Sequence, residues 1–239
     1  MYQNHNKIET PPDETTVYRY MSFAKFVYLL WFKQLYFARL DRLDDEMEGI
    51  VDDVRLRDKH RECYLRINKY VNCWHTSDYE SEAMWKLYGG AASESVAISS
   101  SIGRIKEAIA EDPNPVYIGR VHYEKKPDEE YSKNFYVQVY HKRRMYAHEQ
   151  ELRLCVSGSN DNPPAYLLNP PAGIQDNGRL SRFFVDDRHP DKVLVRVDLS
   201  RLILEVVVGD PWLEPLTQKL VHSVEGLAKC RVIPAMTGG

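Results

Sequence analysis

Cysteine, an excess of either charge and unbroken apolar runs are all scarce in this 239-residue chain, and each shortage removes a class of protein. The four cysteines, Cys63, Cys73, Cys155 and Cys230, stand 10, 82 and 75 apart and form no CxxC pair, so no zinc module is expected. They read as reduced, semi-buried small apolar residues. Lys and Arg number 32 against 35 Asp and Glu, a net charge of −3, which leaves no global excess for gripping a phosphate backbone, although a local patch is allowed. The longest apolar stretch, Phe23 to Leu35, is interrupted by Lys25, Lys33 and Gln34 and falls short of the roughly 20 residues that a membrane span requires. Met1 to Lys7 has neither the basic start nor the apolar core of a secretory signal, so the expected location is cytoplasmic. Gly89-Gly90 is not followed by a phosphate-loop Lys-Ser/Thr, no GxSxG elbow exists, and the eight histidines share no repeated spacing.

What is present is the composition of a soluble globular protein, 43% hydrophobic and 28% charged. Tyrosine stands out at 16 residues, with 7 Phe and 4 Trp, rings suited to a core and also to stacking on a base or a nicotinamide. Residues 1–16 are polar, end in a Pro-Pro turn and read as an arm. Residues 17–239 read as a single α+β domain with a loop at about 157–190 that suits a lid or a partner-binding segment. Val17 to Met21 is strand-like, and Ser22 offers a cap to a helix with Phe23, Phe26, Val27 and Leu30 at i, i+3, i+4 and i+7. Leu35 to Ala38 follows as a strand, then an acidic loop from Asp41 to Gly49 and a charged helical stretch to about Arg66, most simply a solvated face. Further strands are expected at Tyr70–His75, Val96–Ser100, Val116–Tyr123, Glu149–Cys155, 192–197, 204–208 and 230–233. Helices are expected at 80–88, 102–110, 131–146 and 211–225. No repeat appears, and the irregular mixture favours a twisted or split mixed sheet with flanking helices over a doubly wound one.

The most informative stretch is His148-Glu-Gln-Glu-Leu-Arg153. As a strand it sets Glu149, Glu151 and Arg153 on one face. That array is either the wet face of a sheet or a carboxylate pair at a cleft, where one acid stabilises an oxocarbenium-like centre and the other orients an acceptor. Arg19, between Tyr18 and Tyr20, is a sheet-face cation whose planar fork matches a phosphate or carboxylate; the plainer reading is a surface ion pair. Thr76 and Ser77 end a strand where hydroxyls can hold a ribose, or simply make a turn. The acidic loop lacks an EF-hand register, and no metal is expected there. Lys142-Arg-Arg144, with Tyr140 and Tyr146, is a basic aromatic cluster able to meet a phosphate backbone, or an ordinary helix face.

Taken in order, these pieces resemble a bacterial family of unknown function, numbered 2971. The resemblance rests on Tyr18-Arg-Tyr20, Leu35-Tyr-Phe37 followed by Asp45 and Glu48-Gly49, Met84-Trp85 with Tyr88, and Glu149-x-Glu151-x-Arg153. The acidic loop departs from that family's Asn-Asp-Pro-Phe-Glu, and Cys73-Trp-His75 stands where a Phe-Ser pair is usual. The order Arg, Ser/Thr, Glu-x-Glu is also similar to that of ADP-ribosyltransferases. That likeness implies an ADP-ribosyltransferase-like fold with NAD as substrate. Arg19 would contact its phosphates or ribose, Thr76 or Ser77 would support the nicotinamide ribose, and Tyr36 or Trp85 would stack on nicotinamide. Glu151 would stabilise the oxocarbenium, Arg153 would be a further contact to NAD, and Glu149 would position the acceptor.

Two functions from different classes follow. One is a cytoplasmic NAD-using transferase or glycohydrolase, acting on a protein or nucleic-acid acceptor as a toxin or anti-phage effector. The other is a non-catalytic module in which the same residues form an ion-pair network, while the 157–190 loop and the Lys142 cluster recruit nucleic acid or a protein.

Overall fold

Ser22 ends one strand and starts a helix, its hydroxyl accepting from the Lys25 amide at 3.5 Å. This cap places β2, Thr16–Ser22, directly against α1, Phe23–Phe32, which buries Phe26, Leu29 and Leu30. Lys33 then takes a left-handed conformation (φ 52°) and turns the chain into β3, Gln34–Arg39. The computed structural model describes residues 1–45, 66–89, 94–123, 135–158 and 191–236. Glu46 to Gly49, the charged stretch to residue 65 with Cys63, Gly90, residues 131–134, the loop from 159 to 190 and the closing Thr237-Gly-Gly239 lie outside these residues.

The remaining elements are β1 (Tyr2–Gln3), β4 (Lys69–Thr76), α2 (Glu82–Tyr88), β5 (Ser95–Ser101), α3 (Ile102–Ala108), β6 (Val116–Arg120), α4 (Phe135–Gln138), β7 (Glu151–Ser157), β8 (Lys192–Arg196), α5 (Leu199–Leu202), β9 (Glu205–Val208), α6 (Glu214–His222) and β10 (Arg231–Pro234). The strands form one mixed sheet in the order β1-β6-β7-β4-β2-β5-β9-β10, with β3 and β8 branching from β4. β1 with β6 and β9 with β10 are parallel, and the other pairs are antiparallel. The chain is thus a single α+β domain with helices flanking a mixed sheet.

The branch positions the site. Along one edge β4 pairs with β7 over its whole length, from Lys69↔Ser157 to His75↔Glu151. Along the other edge its end, His75 and Thr76, pairs with β2, whereas Tyr70 and Val71 pair with β3. Between these two pairings β2 and β3 diverge, and the sheet splits. The Asn72 side chain holds the fork, donating to the Tyr36 carbonyl at 2.8 Å and accepting from the Trp74 indole at 2.8 Å. The main core lies on the Val17, Trp74, Leu152 and Leu154 face, against α1 and α3. Among the described residues no helix is long and apolar enough to cross a membrane.

Three expectations change. The polar arm is docked: β1 adds to the sheet, Ile8 is buried, and the Thr10 hydroxyl donates to the Ile118 carbonyl at 2.6 Å. A few apolar contacts and sheet hydrogen bonds outweigh its polar composition. The stretch expected as one helix near 131–146 is, where described, only the turn α4 and a 3-10 segment, Arg144–Glu149. The acidic loop is not wholly solvated, because Asp41 is buried against Arg39 at 2.7 Å and Asp45 against Arg143 at 2.7 Å.

Gly119 is where β6 admits the docked segment. A Cβ there would fall inside van der Waals contact of Ile8 and lie 2.9 Å from the Tyr140 ring. Gly119→Ala is therefore expected to cost about 1–3 kcal/mol by overpacking, read as a lower melting temperature with faster proteolysis of residues 1–10. An unchanged melting temperature would show that this contact gives way freely.

Candidate active site

Tyr18 of β2 lies opposite His75 of β4, and His75 opposite Glu151 of β7, so these side chains share one sheet face with Tyr20, Cys73 and Arg153. Helix α2 covers this face by packing Met84 and Trp85 on Tyr20, with the Trp85 ring 4.9 Å from that of Tyr20 and edge-on. A narrow cleft of about 60 Å³ remains, lined by Arg19, Cys73, His75, Tyr88, Glu149 and Glu151 among others.

Glu151 is buried and held from several sides. Arg153, fully buried, forks onto it with Nε to Oε1 at 2.8 Å and Nη2 to Oε2 at 3.0 Å, and the Lys142 ammonium stands 3.4 Å from Oε2. The Cys73 thiol donates to the same carboxylate. Burial alone would raise the carboxyl pKa, but the charges and hydrogen bonds of Arg153 and Lys142 win and hold it well below the usual range. Glu151 is an anion at neutral pH, its amide fixed by a 2.8 Å hydrogen bond to the Tyr123 hydroxyl. Burial, reinforced by the neighbouring carboxylate, pushes the Cys73 thiol far up, so it is protonated.

Glu149 arrives differently. Strand pairing begins only at Glu151, so Glu149 closes the 3-10 segment, and Gln150, in a left-handed conformation (φ 40°), turns the chain into β7. The shared face expected from strand alternation therefore holds for Glu151 and Arg153 but not by that route for Glu149. Lys142 joins the two acids, with its ammonium 2.6 Å from Glu149 Oε2. The Tyr88 hydroxyl also bonds Glu149, and burial and that carboxylate raise the phenol pKa. The Glu149 carbonyl accepts from His75 Nδ1 at 2.6 Å, which fixes the tautomer and leaves Nε2 without a proton at neutral pH.

Arg19 sits at the fork. Alternation turns it away from Tyr18 and Tyr20, yet the divergence of β2 from β3 lets it line both the carboxylate cleft and a second cavity of about 510 Å³. That cavity is bounded by α1 and β3 through Lys25, Tyr28, Gln34 and Tyr36, and by Lys192 of β8. Among the described residues its charged lining is three cations, Arg19, Lys25 and Lys192. Among the described residues no hydrogen bond or ion pair reaches the Arg19 guanidinium. Desolvation lowers its pKa to about 10, so it stays charged.

Other residues singled out in the sequence lie elsewhere. Thr76 shares the face of Trp74, and its hydroxyl is buried without a hydrogen-bond partner among the described residues. The Ser77 hydroxyl accepts from the Tyr79 amide at 3.2 Å in a turn. Neither lines the cleft. Trp85 is buried with its indole donating to Glu80 at 3.2 Å, whereas Tyr36 is exposed on the wall of the larger cavity. In the basic cluster Lys142 serves the two glutamates and Arg143 serves Asp45. Lys142 and Tyr123 were not legible as site residues, because only the fold brings them to β7. Among the described residues no three His, Cys, Asp or Glu side chains gather as a metal site would require.

Desolvation lowers the pKa of His75, and desolvation together with His122 and Arg153 lowers that of His141 to about 3. Both remain neutral in the native state while the unfolded chain protonates near pH 6.5. Stability is full above that pH and lost as pH falls, so the melting temperature is expected to drop between pH 6.5 and 5 at constant ionic strength. A flat profile there would contradict neutral buried imidazoles.

No family model and no curated protein matches the chain, so the resemblance to the family numbered 2971 gains no support. Among solved structures, Thermus sp. 2.9 DarT in complex with ADP-ribosylated ssDNA is 12% identical over 95% of this chain and 97% of that one, with a TM-score of 0.41. The same protein in complex with NAD+ is 12% identical over 94% and 97%, with a TM-score of 0.41. In complex with carba-NAD+ it is 10% identical over 94% and 97%, with a TM-score of 0.40.

Proposed function

We propose that this domain cleaves the nicotinamide–ribose bond of NAD, as an ADP-ribosyltransferase or NAD glycohydrolase. The observation that carries this reading is Arg19, a desolvated cation without a carboxylate partner among the described residues, shared between an acidic cleft and a larger cationic cavity. A dinucleotide suits this arrangement: its pyrophosphate belongs at Arg19 and the larger cavity has room for the adenosine, while the cleft of about 60 Å³ must widen for the nicotinamide ribose to reach Glu151.

In the reaction the bond from ribose C1′ to the nicotinamide nitrogen breaks, its electron pair leaves with nicotinamide, and positive charge develops on the ribose. Glu151, kept ionised and rigid by Arg153, stabilises that charge without reorganising. The acceptor oxygen or nitrogen then bonds to C1′, and Glu149 takes the proton it releases. Water as acceptor gives ADP-ribose; a protein or nucleic-acid acceptor gives a modified macromolecule. Tyr36 is the ring available for stacking, and Thr76 and Ser77 are the less favoured ribose contacts. A toxin or anti-phage role follows from the same reading if turnover depletes cellular NAD.

The reading is tested by nicotinamide release from NAD by the purified protein, alone and with cell lysate, comparing wild type with Glu151→Gln and Glu149→Gln. Release by the wild type and its loss in the variants support it. No wild-type release under either condition sinks it and favours the non-catalytic module, for which the buried Arg153–Glu151 pair is the supporting observation.

A further inference from the structure

Helix α1 buries Phe26, Leu29 and Leu30 and turns Lys25, Tyr28, Trp31 and Phe32 to solvent along its opposite side. Trp31 is 80% exposed and Phe32 52%, and the Tyr28 and Phe32 rings lie 4.4 Å apart. The array continues across the mouth of the cationic cavity to Tyr36, where the Lys192 ammonium stands 5.9 Å from the ring centre. From residue 23 to 39 the chain contains no Asp or Glu, although the protein as a whole carries a net charge of −3. Lys33, at the end of α1, lies apart from this face, in a cavity it shares with Glu107, Glu111, Asp198 and Glu225. Exposed rings interleaved with cations, in a stretch free of acids, fit a partner that is anionic and carries planar apolar groups.

We propose that this face binds single-stranded nucleic acid, with bases stacked on Trp31 and Phe32 and phosphates beside Lys25 and Lys192. A single strand presents both groups together, whereas a duplex keeps its bases stacked inside. Tyr28 and Tyr36 line a concave opening, a relief that a flat bilayer surface does not follow. On the NAD reading, a strand held here lies at the rim of the cavity that contains Arg19, which makes it the acceptor class. Binding itself stands apart from that reading.

The test uses the full chain without NAD and a labelled oligothymidine of about 12 nucleotides, followed by fluorescence anisotropy. Binding is expected, weakened roughly tenfold or more by a fourfold rise in salt and about tenfold by Trp31→Ala. Lys25→Glu is expected to weaken binding and flatten its salt dependence. The proposal is overturned if the oligonucleotide does not bind, if a duplex of equal length binds as tightly, or if Trp31→Ala and Lys25→Glu both bind like wild type. Binding to phosphatidylserine vesicles without binding to the oligonucleotide overturns it in favour of a membrane surface. Nicotinamide release measured without nucleic acid is expected to be unchanged in Trp31→Ala. Release without strand binding sinks this proposal alone, and strand binding without release sinks the NAD reading alone.

Discussion

Arg153→Met is expected to lower the stability of the protein by about 3–5 kcal/mol, the cost of leaving one member of a buried ion pair without its partner. Arg153 is fully buried, forks onto Glu151 and donates a third hydrogen bond to the Val139 carbonyl at 2.6 Å. Methionine fills a comparable volume but leaves the Glu151 anion with Lys142 at 3.4 Å as its nearest remaining cation. Urea unfolding followed by circular dichroism measures the loss. The double variant Arg153→Met, Glu151→Leu is expected to recover much of it, because no buried charge is then left uncompensated. A single variant as stable as wild type would mean that water reaches Glu151 and solvates it. The pair also sets an acid limit. The Glu151 carboxyl pKa is depressed in the native state, so its contribution is complete above the unfolded value near pH 4.3. It is lost as pH falls below that through the native value, a window distinct from the histidine range.

Glu151→Gln is expected to reduce nicotinamide release by about a hundredfold to a thousandfold, or about 2.7–4 kcal/mol of transition-state stabilisation. The loss should fall on kcat, because Gln keeps the shape of the site while removing the charge that opposes the oxocarbenium. Gln also leaves the Arg153 guanidinium without its anion, so part of the expected penalty is structural. Rates are therefore compared only where circular dichroism shows the variant folded. Glu149→Gln provides the companion test, since Lys142 and Tyr88 bind Glu149 whereas Arg153 grips Glu151. Arg19→Ala should instead raise KM for NAD with a smaller change in kcat, because a pyrophosphate contact is present in both the ground state and the transition state. A folded Glu151→Gln with wild-type kcat would remove Glu151 from the chemistry and leave it as Arg153's structural partner.

Local order in this protein is written locally. The Ser22 cap, the 3.6-residue spacing of α1's apolar side and the alternation in β2, β4 and β7 are short-range signals, and all of them appear in the structure close to their expected places. The juxtaposition of Glu151 with Arg153 was readable for the same reason, since two residues on one strand point the same way. What tertiary structure alone decided was everything that depends on pairing distant segments. The fork between β2 and β3 exists because β4 exchanges one partner for the other midway, and this makes Arg19 a shared wall of two cavities rather than a member of a surface ion pair. Lys142 looked like part of a basic surface cluster until the turn at Gln150 folded the preceding segment back and set its ammonium between two carboxylates. Sequence periodicity specifies which way a side chain faces on its own element, but the buried charge network is set by long-range strand register, which no local pattern encodes.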